Sequence, residues 1–366
     1  MPFTLDLYGG DPPVLMARCF NCKKPPSQCR GDCFDGLTKE YIAQIERRYQ
    51  DELPHQERHD AGGFGWGNQM QIGLIDVDSH NFPNLALMKI SAWHKAQGNN
   101  VEWWWGFGDY DKVYMSKVFD DTYSPDIPEP LNAKAIIKGG TGYGLNNKLP
   151  DDIEHMYPDY SLYPALTKNT AYGFLTRGCP RACGFCLVSE KEGRRSKKVA
   201  DLAEFWSGQK HIKLLDPNLL AAKEHAELLG QLADSGAWVD FTQGLDIRLV
   251  TGNNIDSLNK IKTKMLHFAW DNPQDNLEPL FAEFAATTTV KDFRKRRVYI
   301  LTNFNSTHAE DLYRVETLKD IGFDPYVMIY NKPSAPRETR MLARWCNNKR
   351  IFRSIDKFRE YNPRLG

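Results

Sequence analysis

From residue 70 onward, short apolar runs alternate with stretches of helical periodicity. The pattern first predicts strands at 70–77, 100–105, 112–118 and 133–140. An amphipathic helix is predicted between the first two strands, over 84–97, with Gly98 ending it. This rhythm is typical of a small doubly wound α/β domain, which we expect over 70–168 and which ends in a Pro-, Tyr- and Asp-rich connector.

A longer alternation begins at residue 171. Predicted strands lie at 171–177, 211–216, 238–244, 265–271, 297–303 and 324–330. Helical stretches follow them at about 199–207, 218–235, 253–262, 275–288, 308–321 and 335–346. Six such units in sequence suit an open or partial (β/α) barrel, although a doubly wound sheet has the same periodicity. We expect this domain over 169–366, including a C-terminal extension.

Composition excludes several classes of protein. The chain has 366 residues, which suggests about two domains. Its 47 basic and 47 acidic residues give no net charge, which excludes a strongly basic nucleic-acid coat but not a local basic groove. Because there is no apolar run of roughly 18 residues and no secretory signal at the start, we expect a cytoplasmic protein that does not enter a membrane.

The eight cysteines fall into two clusters and one single residue, which suits metal sites in a reducing compartment better than disulfides. The first cluster lies within a polar segment, 1–36, before a predicted helix and Gly-rich linker over 37–69. It consists of Cys19, Cys22, Cys29 and Cys33. Four thiolates at this spacing predict a structural zinc knuckle, with an auxiliary iron–sulfur cluster as the alternative. Cys346, on a late helix, is expected to be a buried core residue.

The second cluster, Cys179-x3-Cys183-x2-Cys186, lies on one loop after the first strand of the six-unit region. Barrel-type α/β proteins place their chemistry at the carboxyl ends of strands. Three thiolates can bind three irons of a four-iron cluster, which leaves one iron open to another ligand. A zinc site with three cysteines and a distant histidine is the alternative.

This motif, with Phe185 just before its last cysteine, resembles the signature of the radical S-adenosylmethionine superfamily, whose members have partial (β/α)6 barrels. The resemblance implies a [4Fe–4S] cluster on Cys179, Cys183 and Cys186, with S-adenosylmethionine on the open iron and the Phe185 backbone facing adenine. It further implies reductive cleavage to a 5′-deoxyadenosyl radical for C–H functionalisation, with methylation and methylthiolation among the open subtypes. An electron donor such as flavodoxin or ferredoxin is implied, and the substrate is a small molecule or a nucleic acid.

Polar residues at the ends of later strands are further candidates for binding S-adenosylmethionine. They are Asp216 and Asn218 after the second strand, Gln243, Asp246 and Arg248 after the third, and Trp270 and Asp271 at the end of the fourth. Helix capping and turns are the alternative roles. The superfamily's usual Gly-Gly-Glu element after the second strand is absent, and Leu-Leu-Asp-Pro-Asn stands there instead.

The domain over 70–168 resembles the cobalamin-binding Rossmann-like domain that precedes many radical enzymes of this superfamily. Asp78 and His80 match part of its Asp-x-His-x-x-Gly motif, with Pro83 in place of the glycine. Ser116 and the pair Gly139–Gly140 match positions that contact the nucleotide tail. The resemblance implies cobalamin bound through His80, with Asp78 fixing the histidine tautomer. The alternative is a domain that keeps the fold without the cofactor.

Basic residues surround the three-cysteine loop. The run consists of Arg177, Arg181, Lys191, Arg194, Arg195, Lys197 and Lys198. A solvated face is expected, and a surface for phosphate or carboxylate is the alternative. Two rival functions remain open: a non-catalytic, zinc-stabilised protein that binds nucleic acid or a partner, and a modification enzyme acting on tRNA or DNA.

Overall fold

The computed structural model describes residues 69–79 and 81–364, which belong to one compact unit. The predicted zinc knuckle over 1–36, with Cys19, Cys22, Cys29 and Cys33, lies outside the described residues. So do His80 and all but the last residue of the helix and linker predicted over 37–69. In the described part, no helix has the length and apolar character that a membrane span requires.

The first sheet contains the four strands predicted near the start of the α/β pattern. They are β1 (Gln71–Asp76), β2 (Asn100–Trp103), β3 (Lys112–Ser116) and β4 (Ile136–Gly139). All pairings are parallel, in the order β2-β1-β3-β4, so the order changes direction between β1 and β3 as in doubly wound sheets. Helix α1 (Leu85–Ala96) joins β1 to β2, and the Asn84 side chain caps it by accepting the Leu87 N–H.

The second sheet contains all six strands predicted from residue 171. They are β5 (Thr170–Gly173), β8 (His211–Leu214), β9 (Trp238–Phe241), β10 (Thr263–Ala269), β11 (Arg296–Thr302) and β12 (Asp324–Ile329). Two short strands, β6 (Thr176–Arg177) and β7 (Lys197–Lys198), form a separate antiparallel ribbon. The six-stranded sheet is parallel, and its order follows the chain from β5 to β12 without the reversal of a doubly wound sheet.

Helices precede, connect and follow the strands of the second sheet. The short helices α2 (Asp151–Glu154), α3 (Pro164–Thr167) and α4 (Val188–Lys191) are followed by α5 (His225–Ser235), α6 (Gly252–Lys260), α7 (Glu278–Thr287), α8 (His308–Ile321), α9 (Arg337–Asn347) and α10 (Lys349–Ser354). The helix predicted at 199–207 is reduced to one 3-10 turn over Leu202–Glu204. Cys346 is fully buried in α9, as expected.

One predicted strand, 171–177, is divided in two. Strand β5 ends at Gly173, where an added Cβ would lie 2.3 Å from the ring of Phe205. Beyond it, the Asp216 carboxylate accepts the N–H groups of Leu175 and Thr176, at 3.1 and 2.5 Å. Because these N–H groups are bound by a side chain, they are not available to the β8 ladder, and the chain leaves the sheet.

A buried arginine links helix α8 to the carboxyl ends of β10 and β11. The Arg314 guanidinium is fully buried and donates to the carbonyls of Trp270, Asp271 and Leu301 at 2.6, 2.9 and 3.0 Å. It also pairs with the Asp311 carboxylate at 2.6 Å. A buried charge with this many partners holds the strand ends in place, because moving them would leave the guanidinium without its hydrogen bonds in a buried setting.

Replacing Arg314 with methionine should lower the free energy of unfolding by about 3–5 kcal/mol, because it leaves Asp311 as an uncompensated buried charge. Urea unfolding followed by tryptophan fluorescence measures the loss. Arg340→Met, at an exposed position of α9, is the control and should change stability by less than about 0.5 kcal/mol. Equal midpoints for the two variants would contradict the role assigned to Arg314.

Candidate functional site

The three cysteines lie on the connection between β6 and β7, which we call the cysteine loop (residues 178–187). All three thiols are free and partly buried. The Cys179 N–H donates to the Gly193 carbonyl at 3.1 Å, and the Cys186 N–H donates to the Cys183 carbonyl at 2.9 Å. Ala182 has a left-handed φ of 47°, so a non-glycine residue makes the tight turn between the first two cysteines.

A close backbone approach fixes the start of the cysteine loop. Gly178 has φ of 88°, and a Cβ there would lie 2.1 Å from the carbonyl oxygen of Arg195. The Gly178 N–H donates to the Glu192 carboxylate at 3.1 Å. Only glycine meets both the left-handed φ and the contact with Arg195 without a shift of the backbone.

Side chains from the carboxyl ends of three other strands contact the cysteine loop. These strands are β8, β9 and β11, which are spread across the second sheet. The contacts join Asn218 Nδ2 to Cys179 Sγ at 3.6 Å, Asp246 to Arg181, and the ring of Phe304 to that of Phe185 at 5.6 Å between centroids. The loop therefore lies where parallel strands of an α/β protein present their functional groups.

Burial sets the electrostatics of the thiols. It raises the pKa of Cys183 to about 11, and the nearby charge of Asp271 acts in the same direction. Burial also raises the pKa of Cys186. Burial likewise raises the pKa of Asp271 itself, to about 6. Thiols in such a place stay protonated until a cation displaces their protons, as metal binding does.

Asp216 holds the segment of chain that leads into the cysteine loop. Its buried carboxylate accepts the N–H groups of Leu175 and Thr176 and, at 2.7 Å, the Thr176 hydroxyl. Burial raises the pKa of Asp216 to about 6, although these three hydrogen bonds favour the ionised form. Its hydrogen bonds therefore go to the chain that leads into the loop.

Asn218 is the predicted residue that best fits a ligand. Its Nδ2 faces Cys179, while its buried Oδ1 has no hydrogen-bond partner among the described residues. Buried polar atoms are rarely left without a partner, so a ligand that donates a hydrogen bond fits beside Cys179. The amino group of S-adenosylmethionine is such a donor, and three free thiols on the same loop suit the irons of a cluster.

The candidates after β9 form an ion-pair network at the edge of the loop. Asp246 accepts from Arg181 and, at 2.8 Å, from Nε of Arg248, which also donates to Asp275 at 2.6 Å. Burial opposes ionisation of Asp246, but the two guanidinium groups hold its pKa below the usual range. Gln243 is half-buried in the same connection.

Two aromatic residues, Trp270 and Phe304, follow β10 and β11 in this region. Trp270, a candidate from the sequence, is fully buried, and its Nε1 donates to the Asp275 carbonyl at 2.9 Å, so it belongs to the core. Phe304 was missed by the sequence analysis. It follows Asn303, whose left-handed φ of 61° turns the chain at the end of β11. Asn-Phe-Asn directly after a strand was the available signal, because asparagine tolerates that φ.

Residues 69–79 and 81–364 contain no group of three or more His, Cys, Asp or Glu side chains placed to hold a metal ion. In an iron–sulfur cluster each thiolate binds a different iron, so the thiolates lie farther apart than the ligands of a single ion.

Three curated relatives share the name tRNA-2-methylthio-N(6)-dimethylallyladenosine synthase. The protein from Christiangramia forsetii is 30% identical over 227 residues, 57% of this chain and 44% of the relative. The protein from Flavobacterium psychrophilum is 28% identical over 232 residues, again 57% and 44%. The protein from Flavobacterium johnsoniae is 30% identical over 183 residues, 45% and 34%. The chain thus spans less than half the length of the relatives it matches, and no family model matches it.

This similarity supports the radical S-adenosylmethionine superfamily and, with it, iron–sulfur and S-adenosylmethionine chemistry. It gives no support to a cobalamin-binding domain. The residues of the first sheet that resemble cobalamin-binding positions have other contacts in the structure.

The candidate cobalamin residues are bonded to the protein itself. Both oxygens of Asp78 accept backbone N–H groups, from Val118 and Phe119, each at 2.8 Å. Ser116 is buried and accepts from Asn84 Nδ2 at 2.8 Å. The carboxylate implied to fix the histidine tautomer therefore holds the connection after β3.

Gly140, directly after β4, serves a similar purpose. A Cβ at Gly140 would lie 2.2 Å from the Lys117 carbonyl oxygen, whereas Gly139 faces open space. Gly140 is thus used for contact between two connections of the same chain. The contacts of Asp78, Ser116 and Gly140 therefore do not fit the implied cofactor.

The contact at Gly178 predicts a sharp difference between two glycines. Gly178→Ala should displace Arg195 or the cysteine loop and lower the iron content after anaerobic reconstitution by more than half. Gly208→Ala is the matched control: its φ of 106° is similarly strained, but a Cβ there meets nothing within 4 Å. Iron analysis of both folded variants makes the comparison, and equal iron contents would contradict the importance of the close approach.

Proposed function

We propose that this protein is a radical S-adenosylmethionine enzyme with a [4Fe–4S] cluster bound by Cys179, Cys183 and Cys186. The observation that carries the proposal is the meeting of the cysteine loop with side chains from the carboxyl ends of β8, β9 and β11. The sequential order of six parallel strands supports a partial barrel, since each connection then returns to the same face of the sheet.

The chain's own residues hold and orient the reactants. A cluster held by Cys179, Cys183 and Cys186 would supply the electron for reductive cleavage of S-adenosylmethionine to a 5′-deoxyadenosyl radical. Asn218 would accept a hydrogen bond from the amino group of bound S-adenosylmethionine through Oδ1, which has no partner among the described residues. Asp216 and Gly178 fix the position of the start of the loop, and the ion pair of Arg181 with Asp246 holds the loop against the end of β9.

We further propose that the substrate is a tRNA and that the reaction is methylthiolation of a base. The support is the printed name of the relatives, which describes a 2-methylthio product on tRNA. Flavodoxin or ferredoxin is the proposed reductant, and the cytoplasm the proposed location. The non-catalytic, zinc-stabilised binding protein is the competing function.

The test compares two cysteines that differ only in position. Cys183→Ala should abolish formation of 5′-deoxyadenosine by the reconstituted, dithionite-reduced protein supplied with S-adenosylmethionine. Cys346→Ala removes a buried thiol that donates to the Pro325 carbonyl, far from the loop in sequence, and should retain activity per folded molecule. A wild-type protein that is colourless, contains zinc and forms no 5′-deoxyadenosine would overturn the proposal.

The four N-terminal cysteines lead to a separate measurement. We propose structural zinc at Cys19, Cys22, Cys29 and Cys33, with the auxiliary iron–sulfur cluster as the alternative. A variant with alanine at Cys179, Cys183 and Cys186 should retain about one zinc per chain and lose its iron. Metal analysis distinguishes the two, because iron and sulfide that persist in this variant would show an auxiliary cluster instead.

A further inference from the structure

Three cations of the basic run differ from the other four in their contacts. Arg194, Arg195 and Lys197 are exposed and make no ion pair with any described residue. The other four have partners: Arg177 pairs with Glu154 and Glu192, Arg181 with Asp246, and Lys198 with Asp201 and Glu227, while Lys191 bonds the Thr141 hydroxyl.

The backbone that carries these three cations is fixed to the cysteine loop. The Gly193 carbonyl accepts the Cys179 N–H, and the Arg195 carbonyl lies against Gly178. Lys197 is paired in register with Arg177 in the β6–β7 ribbon. The three charges are therefore carried by a segment that directly contacts the start of the site.

The side chains of this segment differ in exposure. Ser196 points inward, because its hydroxyl donates to the Asn218 carbonyl at 2.9 Å. Arg194, Arg195 and Lys197, on either side of Ser196, are instead exposed. We call Arg194, Arg195 and Lys197 the cationic edge.

We propose that the cationic edge binds phosphates of an RNA substrate and holds the RNA beside the cysteine loop. Like charges that are grouped without carboxylate partners repel one another, and phosphates relieve that repulsion. Two guanidinium groups and an ammonium match phosphate oxygens, and RNA supplies them at regular spacing. The inference rests on the proposed function, because it assigns a binding surface to that enzyme's substrate.

The test measures binding of an in vitro transcribed, unmodified tRNA to the full-length reconstituted protein over a series of salt concentrations. The triple variant R194A/R195A/K197A should bind about tenfold more weakly at low salt. The slope of log K against log salt should become shallower by about 2, since each phosphate contact contributes about 0.7–0.9. The control triple R337A/R340A/R350A removes three exposed cations of α9 and α10; α9 packs on β12, which is at the opposite edge of the sheet from β5.

An unchanged slope in the first triple variant, or equal losses in both, would overturn the cationic edge as an RNA surface. Displacement of the tRNA by duplex DNA at equal phosphate concentration would overturn it as well. Formation of 5′-deoxyadenosine by the wild-type protein is recorded separately and tests only the proposed chemistry. RNA binding that depends on the cationic edge in a protein that forms no 5′-deoxyadenosine would support the surface while rejecting the enzyme.

Discussion

The hydrogen bonds of Asp216 determine where the second sheet ends and the cysteine loop begins. Its carboxylate takes two backbone N–H groups and one hydroxyl from Leu175 and Thr176, all in a buried setting. Removing those donors would leave a buried charge unpaired, which costs several kcal/mol in effective terms. The chain must therefore leave β5 at this point, and every contact of the loop with later strands follows from that departure.

The hydrogen bonds of Asp216 also explain why the strands could be predicted from the sequence and the break within one of them could not. The strands were predictable, because alternating or continuous apolar runs mark them independently of the rest of the chain. The break within 171–177 was not, because its cause is a carboxylate 40 residues away. The shortened helix at 199–207 also depends on distant contacts. The residues directly before it pair with β6 as strand β7, and the Phe205 ring packs against Gly173.

Within the site, the position of a residue was easier to predict than its role. The spacing of Cys179, Cys183 and Cys186 placed them on one loop, as the structure has them. Asp78 was expected to fix the tautomer of His80, and Asp216 was a candidate contact of S-adenosylmethionine; in the structure both accept backbone N–H groups of neighbouring connections. A carboxylate that follows a strand has the same sequence signature whether it binds a cofactor or backbone N–H groups. The groups that it binds are brought close to it only by the fold. Phe304 reaches Phe185 for the same reason, across 119 positions.

The surroundings of the cysteine loop favour opposite charges on its two sides. On the inner side, burial raises the pKa of Cys183 and Cys186, and the nearby charge of Asp271 acts in the same direction; that negative charge favours a bound cation. On the outer side, Arg194, Arg195 and Lys197 are exposed without carboxylate partners and favour an anion. The Arg195 carbonyl oxygen lies against Gly178 at the start of the loop, so the two sides are joined by a direct backbone contact. The neutral net charge of the whole chain conceals this local separation of charge.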